Sequence, residues 1–520
     1  MKKKGKESPK EKKLQYSEAG DMKAFIERER DKAKKNRIKN RPIVFMSYVM
    51  VLVFLGMFSY IIYFMLTQSE LVVANSSNKR QDSFAKFVTR GDIVTNDGVV
   101  LATTVVEKGS GNSSDENDSD NSDTNEYRYY PYGPLFAHTV GYNSYGRSGI
   151  ELSENFDLMR SHVNIWSKVQ NDLGDEKNPG DTIVTSLDYD LQQAAANAMG
   201  GARGAVVVLE ASTGRILTMY SSPSFDPNDI DNVWASVHSE EGSNSTVLLN
   251  RATQGLYAPG STFKVITAME YIKEHPDYAA YSHICNGTDI FNSVSIRCSN
   301  STAHGELDLA GSLAHSCNTS FAYIGTNEID MDKLHGMCES LLYNNKLPYA
   351  GEYSKSQFQL NGDSDIGEIP QTVIGQGNTL ITPLHNALIM QSIANGGMMM
   401  KPSLVDRLEN ADGAVLKNYK PKSYGQVIEP SITRDIIPML QEVCNSGTAS
   451  SYMAGKPYTV AGKTGTAEYD NSGNCNSWFV GFTNVDDPDI VVSVVVEDYT
   501  SNQISGTSVA SQVMDAYYNK

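Results

Sequence analysis

Ser261-Thr262-Phe263-Lys264 places a hydroxyl and an amine three residues apart. On a helix that spacing puts both on one face, one turn apart, so the amine can reach the hydroxyl. A serine hydroxyl is a poor nucleophile until a base takes its proton. A lysine can be that base once desolvation and neighbouring cations lower its pKa. The same S-x-x-K spacing occurs in Ser76-Ser77-Asn78-Lys79 and Ser83-Phe84-Ala85-Lys86, so context has to separate the candidates. Pro259-Gly260 breaks the chain just before Ser261, and Val265, Ile266, Ala268, Met269 and Ile272 follow in an apolar helical pattern. This predicts Ser261 at a helix N-terminus, where backbone N–H groups and the helix dipole favour developing negative charge.

Two further groups could complete such a site. Ser316-Cys317-Asn318 offers a hydroxyl able to relay a proton and an amide able to hydrogen-bond a peptide backbone. Ser119-Asp120-Asn121 and Ser153-Glu154-Asn155 also fit S-x-N, but both precede the candidate nucleophile and the first lies in an acidic tract. Lys463-Thr464-Gly465-Thr466 supplies a second cation. On an edge strand lining a cleft, Lys463 would lower the pKa of Lys264 and attract a substrate carboxylate. Thr464 and Thr466 offer hydroxyl donors, and Gly465 lets a substrate backbone approach closely. No C-x-x-C pair, H-E-x-x-H or other dense Cys/His spacing suggests a metal site.

The elements that must hold these groups are legible in outline. Residues 182–187 read as a strand, 191–199 as a helix, and 205–209 and 216–220 as strands around the turn Glu210-Ala211-Ser212-Thr213-Gly214. Residues 478–482 and 490–496 again read as strands, and 508–518 as a closing helix. Strands on both sides of a helical middle predict one α+β domain whose sheet is assembled from both ends.

The chain has 520 residues and a net charge of −17, which argues against a nucleic-acid partner. Residues 1–41 hold sixteen Lys or Arg and seven Asp or Glu, a local +9, leaving −26 for the remainder. Residues 43–66 are 24 positions without a charge. As a helix they span about 36 Å, enough for a bilayer core of roughly 30 Å. This predicts an uncleaved membrane anchor, with 1–42 a solvated or lipid-associated cytoplasmic tail and 67–520 outside, because basic flanks stay in the cytoplasm. Residues 109–126, with six acids and no apolar side chain, predict a disordered loop. Six cysteines are too few for a disulfide scaffold, but Cys285 and Cys298 are close enough to pair in an exported domain. Cys317 reads as a small buried packing residue, and His304 and His315 as hydrogen-bonded structural residues.

The motifs occur in the order S-x-x-K, S-x-N, K-T-G, with 55 residues from Ser261 to Ser316 and 147 from Ser316 to Lys463. That is the motif set of the penicillin-recognising serine enzymes. The chain resembles a class B penicillin-binding protein, most like the short penicillin-binding protein A branch. Arg90-Gly91-Asp92-Ile93 with Gly98 and Leu101-Ala102 is similar to that family's pedestal opening, although Thr95 stands at its usual Asp position. Tyr130-Pro131, Ala137, Gly141 and Gly149-Ile150-Glu151 are similar to its next pedestal motif. Gly375-Gln376-Gly377, Thr382-Pro383-Leu384, Ala394-Asn395-Gly396-Gly397 and Trp478-Phe479-Val480-Gly481-Phe482 resemble transpeptidase-domain segments.

The resemblance implies an α+β transpeptidase fold over 181–520, with a five-stranded antiparallel sheet flanked by helices and an all-helical subdomain. It also implies a small β-rich pedestal over 67–180. It assigns Ser261 as nucleophile, Lys264 as base, and Ser316 and Lys463 as a relay to the leaving D-alanine. The backbone N–H groups of Ser261 and Thr466 would form the oxyanion hole. Asn318 would hold the substrate backbone, and Thr464, Gly465 and Thr466 its terminus. The implied partners are peptidoglycan stem peptides, β-lactams as covalent inhibitors, the membrane and a SEDS-type glycan polymerase; no cofactor is required. A membrane-anchored β-lactamase or D,D-carboxypeptidase of the same fold remains open. So does a β-lactam sensor or divisome scaffold whose catalysis is dispensable.

Overall fold

The computed structural model describes residues 9–67, 85–108, 124–174, 176–240, 242, 244–468 and 474–519. Residues 1–75 and 76–520 form two compact units. The first is built on the helix Pro9–Thr67, which carries the uncharged stretch in its C-terminal half. Among the described residues it is the one helix long and apolar enough to cross a membrane. Phe45, Leu52 and Phe58 are exposed on it. Helix, rather than unfolded chain, also runs back through the basic segment to Pro9. Lys, Glu and Ala are good helix formers, and Lys32 pairs with Glu29 one turn back at 2.9 Å.

The second unit contains the expected sheet. Its order is Val460–Glu468, Cys475–Thr483, Ile490–Val496, Gly204–Glu210, Ile216–Ser222, every neighbour antiparallel. Two of the three inner strands, Cys475–Thr483 and Ile490–Val496, are buried at every position, which explains their near-continuous apolar runs. The Lys463 strand is left at the sheet edge. Helices Tyr189–Met199 and Gly506–Tyr518 pack on each other, and the second also packs on the sheet. Helix Pro383–Ala394, buried at every residue, packs on the three central strands.

A second, six-stranded sheet runs Val415–Asn418, Val405–Glu409, Thr182–Thr185, Ile93–Val94, Val100–Lys108, Thr124–Tyr129. Ile93, Leu101, Ile150, Leu158, Ile183 and Leu408 form its core. The sheet crosses residue 181, so the expected pedestal and transpeptidase segments both contribute strands. The acidic tract ends earlier than expected, because Thr124, Asn125 and Glu126 pair with Lys108, Glu107 and Val106. Residues 109–123, like both decoy serines near 76 and 83, lie outside the described residues. The two pedestal motifs meet at a buried ion pair. Arg90 Nε lies 2.5 Å from Glu151 Oε2, and Arg128 Nε lies 2.7 Å from Oε1. Thr95, at the family's Asp position, accepts the Val99 N–H at 2.9 Å, the turn-closing bond a carboxylate would make.

Candidate active site

Ser261 lies in a single 3₁₀ turn, Gly260–Thr262, and Lys264 opens the helix Lys264–Glu274. The nucleophile candidate thus precedes the α-helix rather than sitting inside it. Four tethers hold this turn. Gly260 N–H donates to Gly375 O at 2.9 Å, and Trp478 Nε1 donates to Ala258 O at 3.1 Å. Just upstream, Tyr257 OH and Arg251 Nε each reach Glu497 Oε1 at 2.8 Å. Gly260 has φ +53, and a Cβ there would lie 2.6 Å from Thr466 O, so only glycine lets the nucleophile turn and the K-T-G-T strand touch.

Lys264, Ser316, Asn318 and Lys463 converge from three elements. Lys264 Nζ donates to Ser316 O at 2.7 Å, Ser316 Oγ at 3.3 Å and Asn318 Oδ1 at 2.5 Å. Lys463 Nζ donates to the same Ser316 Oγ at 3.0 Å and to Thr464 O at 2.9 Å. One hydroxyl therefore bridges two amines, an arrangement that can take a proton from one and pass it to the other. Ser316 has φ +54, a left-handed conformation that favours glycine; such strain concentrates at functional sites. Asn318 is fixed at both ends, since its Nδ2 donates to Arg297 O at 2.7 Å. Among the described residues the Ser261 hydroxyl makes no hydrogen bond; the Lys264 amine is turned to Ser316 and Asn318 instead. Catalytic hydrogen bonds often tighten only when substrate arrives.

Both amines are fully buried. Burial pushes Lys264 down from 10.5 to about 8, opposed weakly by Cys317 and Cys298. Lys463 is held well below the lysine range, first by burial and then by the charge of Lys264. Thr464 Oγ1 meets Thr448 Oγ1 at 2.6 Å, while Thr466 is exposed toward solvent. A Cβ at Gly465 would meet Thr262 Cγ2 and Trp478 Cβ at 3.0 Å and Pro259 O at 3.1 Å, so the glycine also lets the strand approach the nucleophile segment.

Sequence reasoning misses Thr448, Glu497 and Arg251, because no local pattern links them to the motifs they support. The Cys285–Cys298 pairing that the sequence leaves open is not formed: the sulfurs are 3.7 Å apart and all six cysteines are free. Cys317 is buried as expected, but against Cys298 at 3.7 Å. The His304 and His315 rings stack 5.7 Å apart.

Comparison with known proteins agrees with this geometry. The family model of the penicillin binding protein transpeptidase domain matches residues 204–517, and that of the penicillin binding protein A dimerisation domain matches 90–183. The peptidoglycan D,D-transpeptidase PbpA of Mycolicibacterium smegmatis is 30% identical over 400 residues, spanning 71% of this chain and 78% of its own. The D,D-transpeptidase domain of a peptidoglycan glycosyltransferase from Eggerthella lenta superposes with a TM-score of 0.70 at 30% identity, covering 83% of this chain and 98% of its own. The penicillin G acyl-enzyme complex of penicillin-binding protein A from M. tuberculosis superposes with a TM-score of 0.70 at 26% identity, covering 83% and 99%. By its sequence matches and its fold, the chain belongs to the penicillin-binding protein transpeptidases, the family of peptidoglycan D,D-transpeptidases.

Proposed function

We propose that this chain crosslinks peptidoglycan stem peptides through an acyl-enzyme on Ser261. The observation that carries the reading is the convergence on Ser316 Oγ of Lys463 and of Lys264, which lies one turn from Ser261. Ser261 Oγ attacks the penultimate D-alanine carbonyl, and Lys264, with an amine lowered to about 8, accepts its proton. Ser316 and Lys463 return a proton to the departing D-alanine nitrogen. The N–H groups of Ser261 and Thr466 bind the oxyanion; one such donor is worth about 2.7–4 kcal/mol. Asn318 holds the substrate backbone, and Thr464 and Thr466 its carboxylate, with Gly465 between them. An amine of a second stem peptide then resolves the acyl-enzyme. β-Lactams acylate Ser261, as the acyl-enzyme complex of the M. tuberculosis relative suggests. The helix Pro9–Thr67 anchors the chain in the membrane. The +9 charge of residues 1–41 supports a cytoplasmic N-terminus and an extracytoplasmic catalytic domain; the family resemblance adds a SEDS-type glycan polymerase as its partner.

Mass spectrometry of the chain after penicillin treatment tests this reading. The expected result is one penicilloyl adduct on Ser261 that persists for many minutes. An adduct elsewhere refutes the assignment, and rapid turnover identifies a β-lactamase. Release of D-alanine without a crosslinked product identifies a carboxypeptidase.

A further inference from the structure

Behind the Ser316–Asn318 turn, four side chains from four separate segments aim at one point. Cys285 ends the strand His283–Cys285, and Cys298 follows the strand Val294–Arg297. His304 precedes the strand Gly305–Leu307, which pairs with the Cys285 strand. Cys317 is the middle residue of the S-x-N motif and caps the helix Asn318–Tyr323. Cys285 Sγ and Cys298 Sγ lie 3.7 Å apart, Cys298 Sγ and Cys317 Sγ 3.7 Å, and Cys285 Sγ and His304 Nδ1 3.4 Å. All four donor atoms fall within 4.8 Å of one another. The three cysteines are buried and His304 is half-buried.

We propose that Cys285, Cys298, His304 and Cys317 form a closed, tetrahedral Zn²⁺ site that clamps the Ser316–Asn318 turn to the neighbouring hairpins. The distances fit the ion. With Zn–S of about 2.3 Å and Zn–N of about 2.0–2.1 Å, a tetrahedron sets sulfur–sulfur edges of about 3.8 Å and sulfur–nitrogen edges of about 3.5 Å. A disulfide needs sulfurs about 2.05 Å apart and would leave the third thiol out. Soft thiolates with one imidazole in a tetrahedron select zinc over magnesium, calcium or manganese. Backbone amides already point at the sulfurs, as they do around thiolate ligands: Gly287 N–H donates to Cys285 Sγ at 3.4 Å, and the N–H groups of Asn318 and Thr319 face Cys298. Binding releases the three thiol protons to solvent and leaves the imidazole neutral. Four protein donors fill the coordination sphere, so the ion holds structure and takes no substrate. Its purchase on the active site is Cys317, covalently between Ser316 and Asn318.

The test uses the full-length chain in detergent, purified without chelator or reductant, and its readout does not depend on Ser261 chemistry. Elemental analysis is expected to find one zinc per chain, and Cys298→Ser and His304→Gln to lose it. Cys475→Ser, outside the cluster, is expected to keep it. Because a cluster variant can misfold, the wild-type chain is also stripped and reloaded with Co²⁺. Thiolate-to-cobalt charge transfer and the intense visible bands of a tetrahedral ion support the site. No metal bound after loading, an octahedral cobalt spectrum, zinc retained by folded Cys298→Ser, or a Cys285–Cys298 disulfide in the isolated chain would overturn it.

Discussion

Gly375→Ala isolates the positioning of the nucleophile from its chemistry. Gly375 touches no substrate-facing group; its carbonyl holds Gly260 N–H at 2.9 Å. A Cβ at 375 would stand 1.9 Å from Gly260 O, about 1.5 Å short of ordinary contact, and the atom it strikes is backbone that cannot rotate aside. Its φ of +83 adds roughly 1–2 kcal/mol of strain. Gly377 is the internal control. It has φ +74 and the same strain, but its nearest neighbour is a rotatable hydroxyl, Thr372 Oγ1, at 3.3 Å. Both variants should lose stability in thermal melts, Gly375→Ala more because its backbone clash adds to the shared strain, so acylation is compared at a temperature where both are folded. Only Gly375→Ala must push Gly260, and with it Ser261, out of register. A misplacement of about 1 Å can cost roughly 100-fold, so the second-order rate of acylation by a fluorescent penicillin should fall about that much in Gly375→Ala and little in Gly377→Ala. Equal acylation losses in the two variants, or none at Gly375, would refute the argument that the Gly260–Gly375 contact sets the nucleophile.

Three further outcomes follow from the geometry. The free amine of Lys264 is the reactive form, so acylation should climb about tenfold per pH unit and level near 8; a climb continuing toward 10.5 would count against Lys264 as base. Ser316→Ala removes the hydroxyl between the two amines and should cost roughly 10²–10⁴ in acylation rate with an unchanged melting curve; an unaffected rate removes Ser316 from the relay. Glu151→Gln leaves two buried guanidiniums uncompensated and should cost about 3–5 kcal/mol in urea unfolding. Burial raises the Glu151 carboxyl, but Arg128 and Arg90 outweigh it and hold it below its ordinary value. Wild-type stability should therefore drop as pH falls through that depressed value, and the variant should lack this component; parallel acid profiles would contradict it.

The readable parts of this molecule are the local ones. S-x-x-K declares itself because one helical turn relates its two ends, and Ile490–Val496 because a buried inner strand is apolar throughout. The meeting of Ser316 with Lys463, 147 residues on, has no local signal and came from the family's motif order. Glu497 reaches Arg251 across 246 positions and was invisible for the same reason. The start of Thr124–Tyr129 is hidden in the acidic tract because its first residues are polar and pair at a sheet edge. The cysteine cluster escaped because zinc spacings are recognised by short C-x-x-C turns. Here the donors at 285, 298, 304 and 317 come from separate hairpins and a helix cap.

The six-stranded sheet has an implication for how such chains can be inherited. Two of its strands, Val405–Glu409 and Val415–Asn418, are encoded more than two hundred positions after Thr182–Thr185, on which the first of them docks. Recombination at a single crossover near residue 181 would therefore deliver a six-stranded sheet in which Thr182–Thr185 and both late strands come from the other parent. A functional exchange must carry residues 90–185 and 405–418 together, or preserve the register of Ile93 against Ile183 by selection on both parents. Pedestal and catalytic sheet, although they match separate family models, are bound to one genealogy by the order in which the chain is threaded.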